Sequence, residues 1–160
     1  MPIVDSSMLI SFAKMQKLDL LKLLKAKMAT IRDVYEECVE KGLNSGYPDA
    51  LKIKRMFDEK AIAIEDLKSY EKLSGVSKVD SKIISLAKAK EDYLFVDDGK
   101  LGRKAKAENI KVRNTPDILL HLMKTKRLAK NEFRNLLQKL VDNKRLAEKA
   151  KNLYEKAGGV

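Results

Sequence analysis

Short apolar runs alternate along the chain with longer amphipathic segments, and this alternation constrains the fold more than any other feature. The apolar runs lie at 2–4, 61–64 and 93–96, and Ile110-Lys111-Val112 is predicted to be a last strand. Runs of this length that lack regular polar positions are typical of strands buried on both faces. Buried strands that alternate with helices form a mostly parallel sheet with helices packed on it. The sequence therefore predicts an α/β fold.

The segments between these runs have apolar residues at helical spacing. Helices are predicted over 8–24, 33–42, 48–57 or 49–57, 77–89, 101–107, 116–124, 130–142 and 145–157. Thr115 is expected to be the N-cap of the sixth of these, with Pro116 at the first helical position. The segment 25–31 is ambiguous, and no internal repeat is present. A length of 160 residues fits a single domain.

Composition excludes several classes of protein. No apolar run approaches the ~18 residues of a membrane span, and the apolar N-terminus lacks the basic leader of a secretory signal. Cys38 is the single cysteine, which excludes an internal disulfide and a cysteine-based zinc site. His121 is the single histidine, which disfavours a histidine-rich metal centre or a conventional catalytic triad. We expect a cytoplasmic protein without membrane association.

The net charge is confined to one part of the chain. Residues 1–98 carry 17 basic and 17 acidic side chains, whereas residues 99–160 carry 17 basic and 6 acidic ones, which accounts for the whole net charge of +11. Such a segment suits a polyanion partner, because Lys and Arg release counterions when they neutralise phosphates. A solvated basic face that only aids solubility explains the composition equally well.

Acidic side chains stand where an α/β fold places its ligand site. Asp5 follows the first strand, and Asp97 with Asp98 follows the strongest one. In a parallel sheet these strand ends share one edge, where ligands bind. Glu37 and Asp80 lie on predicted helices. Gathered carboxylates would repel each other unless hard cations such as Mg²⁺ or Mn²⁺ held them. Taken singly, each acid is equally explained as a helix cap, a turn residue or part of a solvated face.

Four segments in this order resemble the motifs of a known family. They are Ile3-Val4-Asp5-Ser6-Ser7, Val34-Tyr35-Glu36-Glu37, the helix that begins near Asp80, and Leu94-Phe95-Val96-Asp97-Asp98. Together they resemble the PIN domain, a metal-dependent nuclease fold common in prokaryotic toxin–antitoxin systems. The resemblance implies a three-layer α/β/α sandwich with a central, mostly parallel sheet. It also implies one PIN-like domain over 1–160, with a core at about 1–125 and C-terminal helices at 126–160.

The resemblance further implies a site and an activity. Asp5, Glu37, Asp80 and Asp97 would converge on Mg²⁺ or Mn²⁺ to hydrolyse RNA phosphodiester bonds. Either Glu36 or Glu37, and either Asp97 or Asp98, satisfies the family pattern.

Other residues are assigned supporting roles in this hypothesis. Ser7 would orient Asp5, and Arg103, Lys104 and Lys106 would bind RNA beside the metal site. A small antitoxin protein and a second copy of the chain are the expected protein partners. The alternative function is a PIN-fold module that binds nucleic acid with little or no catalytic turnover.

Overall fold

The computed structural model describes all 160 residues and contains one five-stranded sheet. Its strands are β1 (Ile3–Val4), β2 (Met28–Thr30), β3 (Ile62–Ile64), β4 (Leu94–Phe95) and β5 (Val112–Arg113). They are arranged in the order β3-β2-β1-β4-β5, and every neighbouring pair is parallel. The prediction of a mostly parallel sheet is confirmed. The predicted last strand is shifted, because it contains 112–113 and not 110–112.

Ten α-helices and one π-helical turn surround the sheet. The helices are α1 (Ser6–Lys14), α2 (Asp19–Lys22), α3 (Arg32–Tyr35), α4 (Lys41–Asn44), α5 (Pro48–Asp58), α6 (Lys78–Lys90), α7 (Gly99–Ala107), α8 (Thr115–Lys124), α9 (Lys130–Asp142) and α10 (Glu148–Ala157). The π-helical turn, Glu36–Glu40, joins α3 to α4. Right-handed crossovers are the rule between parallel strands, and with this strand order they place α1 and α3–α5 on one face and α6–α7 on the other. The expected α/β/α sandwich is therefore present.

The N-terminal half contains three departures from the sequence prediction. The ambiguous segment 25–31 holds β2, whose three residues are all buried. The predicted helix over 8–24 is two helices, because Gln16 has a φ of 58° and ends the first helical segment. Gly42 does not end its helix, which continues to Asn44. A Cβ on Gly42 would lie 2.7 Å from the Cβ of Ala50, so the glycine allows close packing against α5.

Two further departures concern helix starts in the C-terminal half. The N-cap of α8 is Asn114 and not Thr115, because Asn114 and Asp117 form a capping box. The Asn114 side chain accepts from the Asp117 backbone N–H at 2.9 Å, and the Asp117 carboxylate accepts from the Asn114 N–H at 2.9 Å. The last helix begins at Glu148, three residues later than predicted, which leaves 143–147 as a loop between α9 and α10.

A single apolar core joins the sheet to the C-terminal helices. It contains 39 buried residues, and α9 contributes Phe133, Leu136, Leu137 and Leu140 to it. By contrast, α10 has no buried residue. The helical extension is therefore attached to the core mainly through α9, with the half-buried Tyr154 of α10 also packed against it. None of the helices combines the length and the apolar character that crossing a membrane requires.

Candidate active site

Asp5 occupies the end of β1 at the carboxyl edge of the sheet. It is the N-cap of α1, and its Oδ2 accepts from the Ser7 backbone N–H at 3.2 Å and from the Ser7 hydroxyl at 2.6 Å. The residue is only 6% exposed. The cap begins the helix and at the same time holds a buried carboxylate in a fixed orientation at the strand end.

The Ser7 hydroxyl connects the ends of two neighbouring strands. While it donates to Asp5, its oxygen accepts from the backbone N–H groups of Asp97 at 2.9 Å and Asp98 at 3.2 Å. These two residues follow β4, which pairs with β1. The contact expected between Ser7 and Asp5 is present, and the same hydroxyl also positions the turn that carries the later acids.

Two helices bring the remaining carboxylates to this edge. Glu37 lies in the π-helical turn. Asp80 lies in the first turn of α6, where its backbone N–H donates to the Ser77 hydroxyl at 3.0 Å. An open cavity of about 400 Å³ is formed at this position. Its lining residues are Asp5, Ser6, Ser7, Ile10, Glu37, Ser77, Val79, Asp80, Asp98 and Arg145. We call it the acidic cavity.

The carboxylates of the acidic cavity perturb one another. Burial raises the pKa of Asp5 to about 6, and the charge of Asp80 adds to the rise, although hydrogen bonds from Ser7 oppose it. Burial also raises the pKa of Asp80, with further contributions from Asp98 and Glu37. Negative charge is therefore concentrated here at an energetic cost, which a bound cation would relieve.

The structure distinguishes the two candidate acids after β4. The Asp97 carboxylate faces α8, where its Oδ1 accepts from the Thr115 backbone N–H at 2.7 Å and its Oδ2 from the Thr115 hydroxyl at 2.5 Å. It does not line the acidic cavity, whereas Asp98 does. Asp98 is also the N-cap of α7, since its Oδ1 accepts from the Leu101 N–H at 2.9 Å.

Other sequence candidates lie outside the acidic cavity. Glu36 lines a separate groove between α3 and α6, and Arg103, Lys104 and Lys106 lie on α7 without reaching the acids. Cys38 is buried beside Glu37 and Asp5, and burial raises the pKa of its thiol to about 12. A thiol that stays protonated is not a nucleophile.

Two basic residues near the acids were missed by the sequence analysis. Lys100 lies close enough for its charge to oppose the rise in the pKa of Asp80, and its position just after Asp98-Gly99 was an available signal. Arg145 lines the cavity itself, from a loop 138 residues beyond Ser7. No local pattern in the sequence indicates that placement.

The chemistry of the cavity suits a hard divalent cation. All four acidic donors are oxygen ligands, which Mg²⁺ and Mn²⁺ prefer, and their mutual repulsion would be relieved by such an ion. In the present arrangement no three His, Cys, Asp or Glu side chains are close enough together to form a metal site. The residue types therefore fit a metal ion, with side-chain movement needed for them to converge on it.

Comparison with protein families assigns the chain. A family model described as a PIN domain matches residues 1–157. The chain belongs to the PIN-domain family. PIN domains are generally nucleases and typically use divalent metal ions. The resemblance found in the sequence is thus confirmed. Each of the four segments that carry the resemblance supplies one acid to the acidic cavity of this PIN domain: Asp5, Glu37, Asp80 and Asp98.

Solved structures include similar folds. A domain of a functionally unknown protein from Methanocaldococcus jannaschii DSM 2661 is 22% identical and gives a TM-score of 0.50, with 71% of this chain and 89% of that chain covered. A PilT N-terminus domain protein from the hyperthermophilic archaeon Sulfolobus solfataricus P2 is 13% identical, with a TM-score of 0.49 and coverage of 75% and 91%. A search of curated proteins found no match.

Proposed function

We propose that this PIN domain is a metal-dependent endoribonuclease that hydrolyses RNA phosphodiester bonds. Asp5, Glu37, Asp80 and Asp98 would hold Mg²⁺ or Mn²⁺ in the acidic cavity. The observation that carries the proposal is the buried Asp5, whose pKa is raised to about 6 beside three further carboxylates at the carboxyl edge of the sheet. Because the pKa values of Asp5 and Asp80 are raised, holding these charges together costs stability when no cation is bound.

The chain's own residues would divide the work of binding and orientation. Ser7 fixes the Asp5 carboxylate through two hydrogen bonds to Oδ2. Asp80, in the first turn of α6, and Glu37, in the π-helical turn, line the same cavity from different segments of the chain. The metal ion would lower the pKa of a water nucleophile and offset the charge that develops on phosphate.

The basic C-terminal part of the chain would attract the RNA. Arg103, Lys104 and Lys106 lie on α7, which begins at the cap residue Asp98 and so starts beside the cavity. Lys100 lies in the first turn of α7. It is the lysine of this helix whose charge lowers the pKa of Asp80. Contacts from this helix to the phosphate backbone would set the path of the strand without reading its sequence.

The decisive experiment is RNA cleavage with a matched pair of variants. Purified protein should cleave single-stranded RNA in Mg²⁺ or Mn²⁺, and EDTA should stop the reaction. Asp5→Asn should abolish cleavage, whereas Asp19→Asn, which removes an exposed carboxylate on α2, should leave it unchanged. If the wild-type protein binds RNA but cleaves nothing in a broad RNA pool with either metal, the nucleic-acid-binding module is the correct function.

A role as the toxin of a toxin–antitoxin pair is a narrower form of this proposal, supported by family membership alone. It requires that expression of the wild-type chain arrests growth and that Asp5→Asn relieves the arrest. Co-expression of the product of an adjacent small gene should also relieve the arrest and should co-purify with the PIN domain. Arrest by both forms of the chain would contradict it.

A further inference from the structure

Arg145 brings a positive charge into the acidic cavity from a distant part of the chain. It lies in the loop between α9 and α10 and follows Lys144, whose φ is 58°. Its backbone N–H donates to the Leu140 carbonyl at 2.8 Å, which closes the end of α9. The side chain is half-buried and lines the same cavity as Asp5, Glu37, Asp80 and Asp98.

Hydrogen bonds to α1 hold the guanidinium in place. The Nε–H donates to the Ser11 hydroxyl at 2.6 Å, and Nη2 donates to the Ser7 carbonyl at 2.8 Å. The Ser11 hydroxyl itself donates to the Ser7 carbonyl at 3.0 Å. Both partners are neutral, so the anchoring fixes the orientation of the group without cancelling its charge. Ser7 is also the residue that orients Asp5.

The rest of the guanidinium has no partner in the protein. Arginine has five N–H donors, of which the two contacts to α1 use one on Nε and one on Nη2. Nη1 donates no hydrogen bond, and Arg145 forms no salt bridge, although four carboxylates line the same cavity. A cation held among acids but kept from pairing with them is available to an anion from solution.

We propose that Arg145 binds the phosphate group of the RNA at the acidic cavity, and this inference rests on the proposed nuclease function. The planar guanidinium fork matches two phosphate oxygens at once. A phosphate that approaches four carboxylates is repelled by them, and the fixed arginine supplies attraction on the same side as the reacting acids. The loop between α9 and α10 thus contributes Arg145, a residue that contacts substrate, to a site otherwise built from the first 98 residues.

The test compares Arg145→Ala with Arg134→Ala, which removes the same charge from an exposed position on α9. RNA affinity is measured at several salt concentrations with Ca²⁺, under conditions where the RNA is shown to stay intact. Arg145→Ala should weaken RNA binding and lower kcat/KM roughly ten- to hundredfold. Its salt slope should fall by about 0.7, the value for one phosphate contact on a single strand. Arg134→Ala should change neither quantity more than about twofold.

Two further measurements separate phosphate binding from a purely structural role. Arg145→Lys keeps the charge but loses the fork, so it should restore part of the salt slope and less of kcat/KM. Mn²⁺ affinity should not fall in Arg145→Ala, because the change removes a cation and no ligand. If Arg145→Ala does not fold, Arg145→Gln, which keeps an N–H donor for the Ser7 carbonyl, takes its place and should give the same losses.

Equal RNA affinity and equal salt slopes for wild-type protein and Arg145→Ala would overturn the inference. A loss of RNA affinity that is fully explained by the fraction of unfolded protein would also overturn it. Failure of the nuclease proposal is recognised separately. If the wild-type chain cleaves no RNA, the nuclease function is rejected, whereas the affinity comparison still decides whether Arg145 contacts phosphate.

Discussion

The buried Asp5 predicts that the protein is destabilised by its own site when no cation is bound. Replacing Asp5 with asparagine removes the charge but keeps an oxygen that accepts from Ser7, so the N-cap of α1 is retained. Burial is the main cause of the raised pKa of this carboxyl. Asp5→Asn should therefore stabilise the metal-free protein above the pKa of Asp5, even though it disables the site.

The magnitude follows from the pKa. A rise from 3.8 to about 6 means that the folded state holds the proton more tightly than the unfolded state, and the difference corresponds to about 3 kcal/mol. For a raised pKa the contribution is fully present below about pH 4 and is lost as the pH rises through about 6. The wild-type protein loses this stability over that window, whereas Asp5→Asn has no carboxyl to ionise.

Denaturant unfolding in EDTA measures the effect directly. Between about pH 4 and pH 7 the free energy of unfolding of Asp5→Asn, relative to wild type, should rise by about 3 kcal/mol. Asp19→Asn, at an exposed carboxylate on α2, serves as the control and should show no such change. Excess Mn²⁺ should stabilise the wild-type protein and Asp19→Asn but not Asp5→Asn. A pH-independent difference between Asp5→Asn and wild type would refute the reasoning.

Three further predictions concern the residues around the acidic cavity. Isothermal titration with Mn²⁺ should show binding that Asp5→Asn combined with Asp98→Asn abolishes and Asp97→Asn preserves, because Asp97 faces Thr115; loss of binding in Asp97→Asn alone would contradict the assignment. Thr115→Val should lower the free energy of unfolding by about 1–3 kcal/mol, measured by denaturant titration, because it leaves the Asp97 carboxylate without its hydroxyl donor. Arg103→Ala with Lys104→Ala should weaken RNA binding and flatten its salt dependence without changing Mn²⁺ affinity; unchanged slopes would mean that these side chains serve solubility only.

The extent to which the sequence predicts the fold depends on how local each signal is. The strand before Asp97 was evident because aromatic and branched residues are concentrated there, and it is observed as β4. The three residues of β2 were not assigned, because a run that short has no measurable period. These residues form a strand because they pair with β1 on one side and with β3 on the other. Such pairing depends on the tertiary structure.

Some residues of the candidate site could likewise be predicted from local features of the sequence, and others could not. Asp5 could be proposed from its strand end, and Glu37 and Asp80 from their positions on predicted helices together with the resemblance to the PIN domain. The structure brings all three to one cavity. Choosing between Asp97 and Asp98 was beyond the sequence, because the choice depends on a hydrogen bond from Thr115 across the sheet edge. Arg145 was beyond it for a stronger reason, since only the packing of α9 on the core places its loop beside α1.

The bond between Arg145 and α1 has a consequence for the order in which the protein matures during its synthesis. Four of the five strands and all four acids of the acidic cavity precede residue 99, and a chain emerges from the ribosome from its N-terminus onward. The guanidinium that completes the wall of the acidic cavity comes 138 residues after Ser7. A nascent chain therefore carries all four carboxylates before Arg145 is synthesised, and the wall of the acidic cavity is complete only when the α9–α10 loop has left the ribosome.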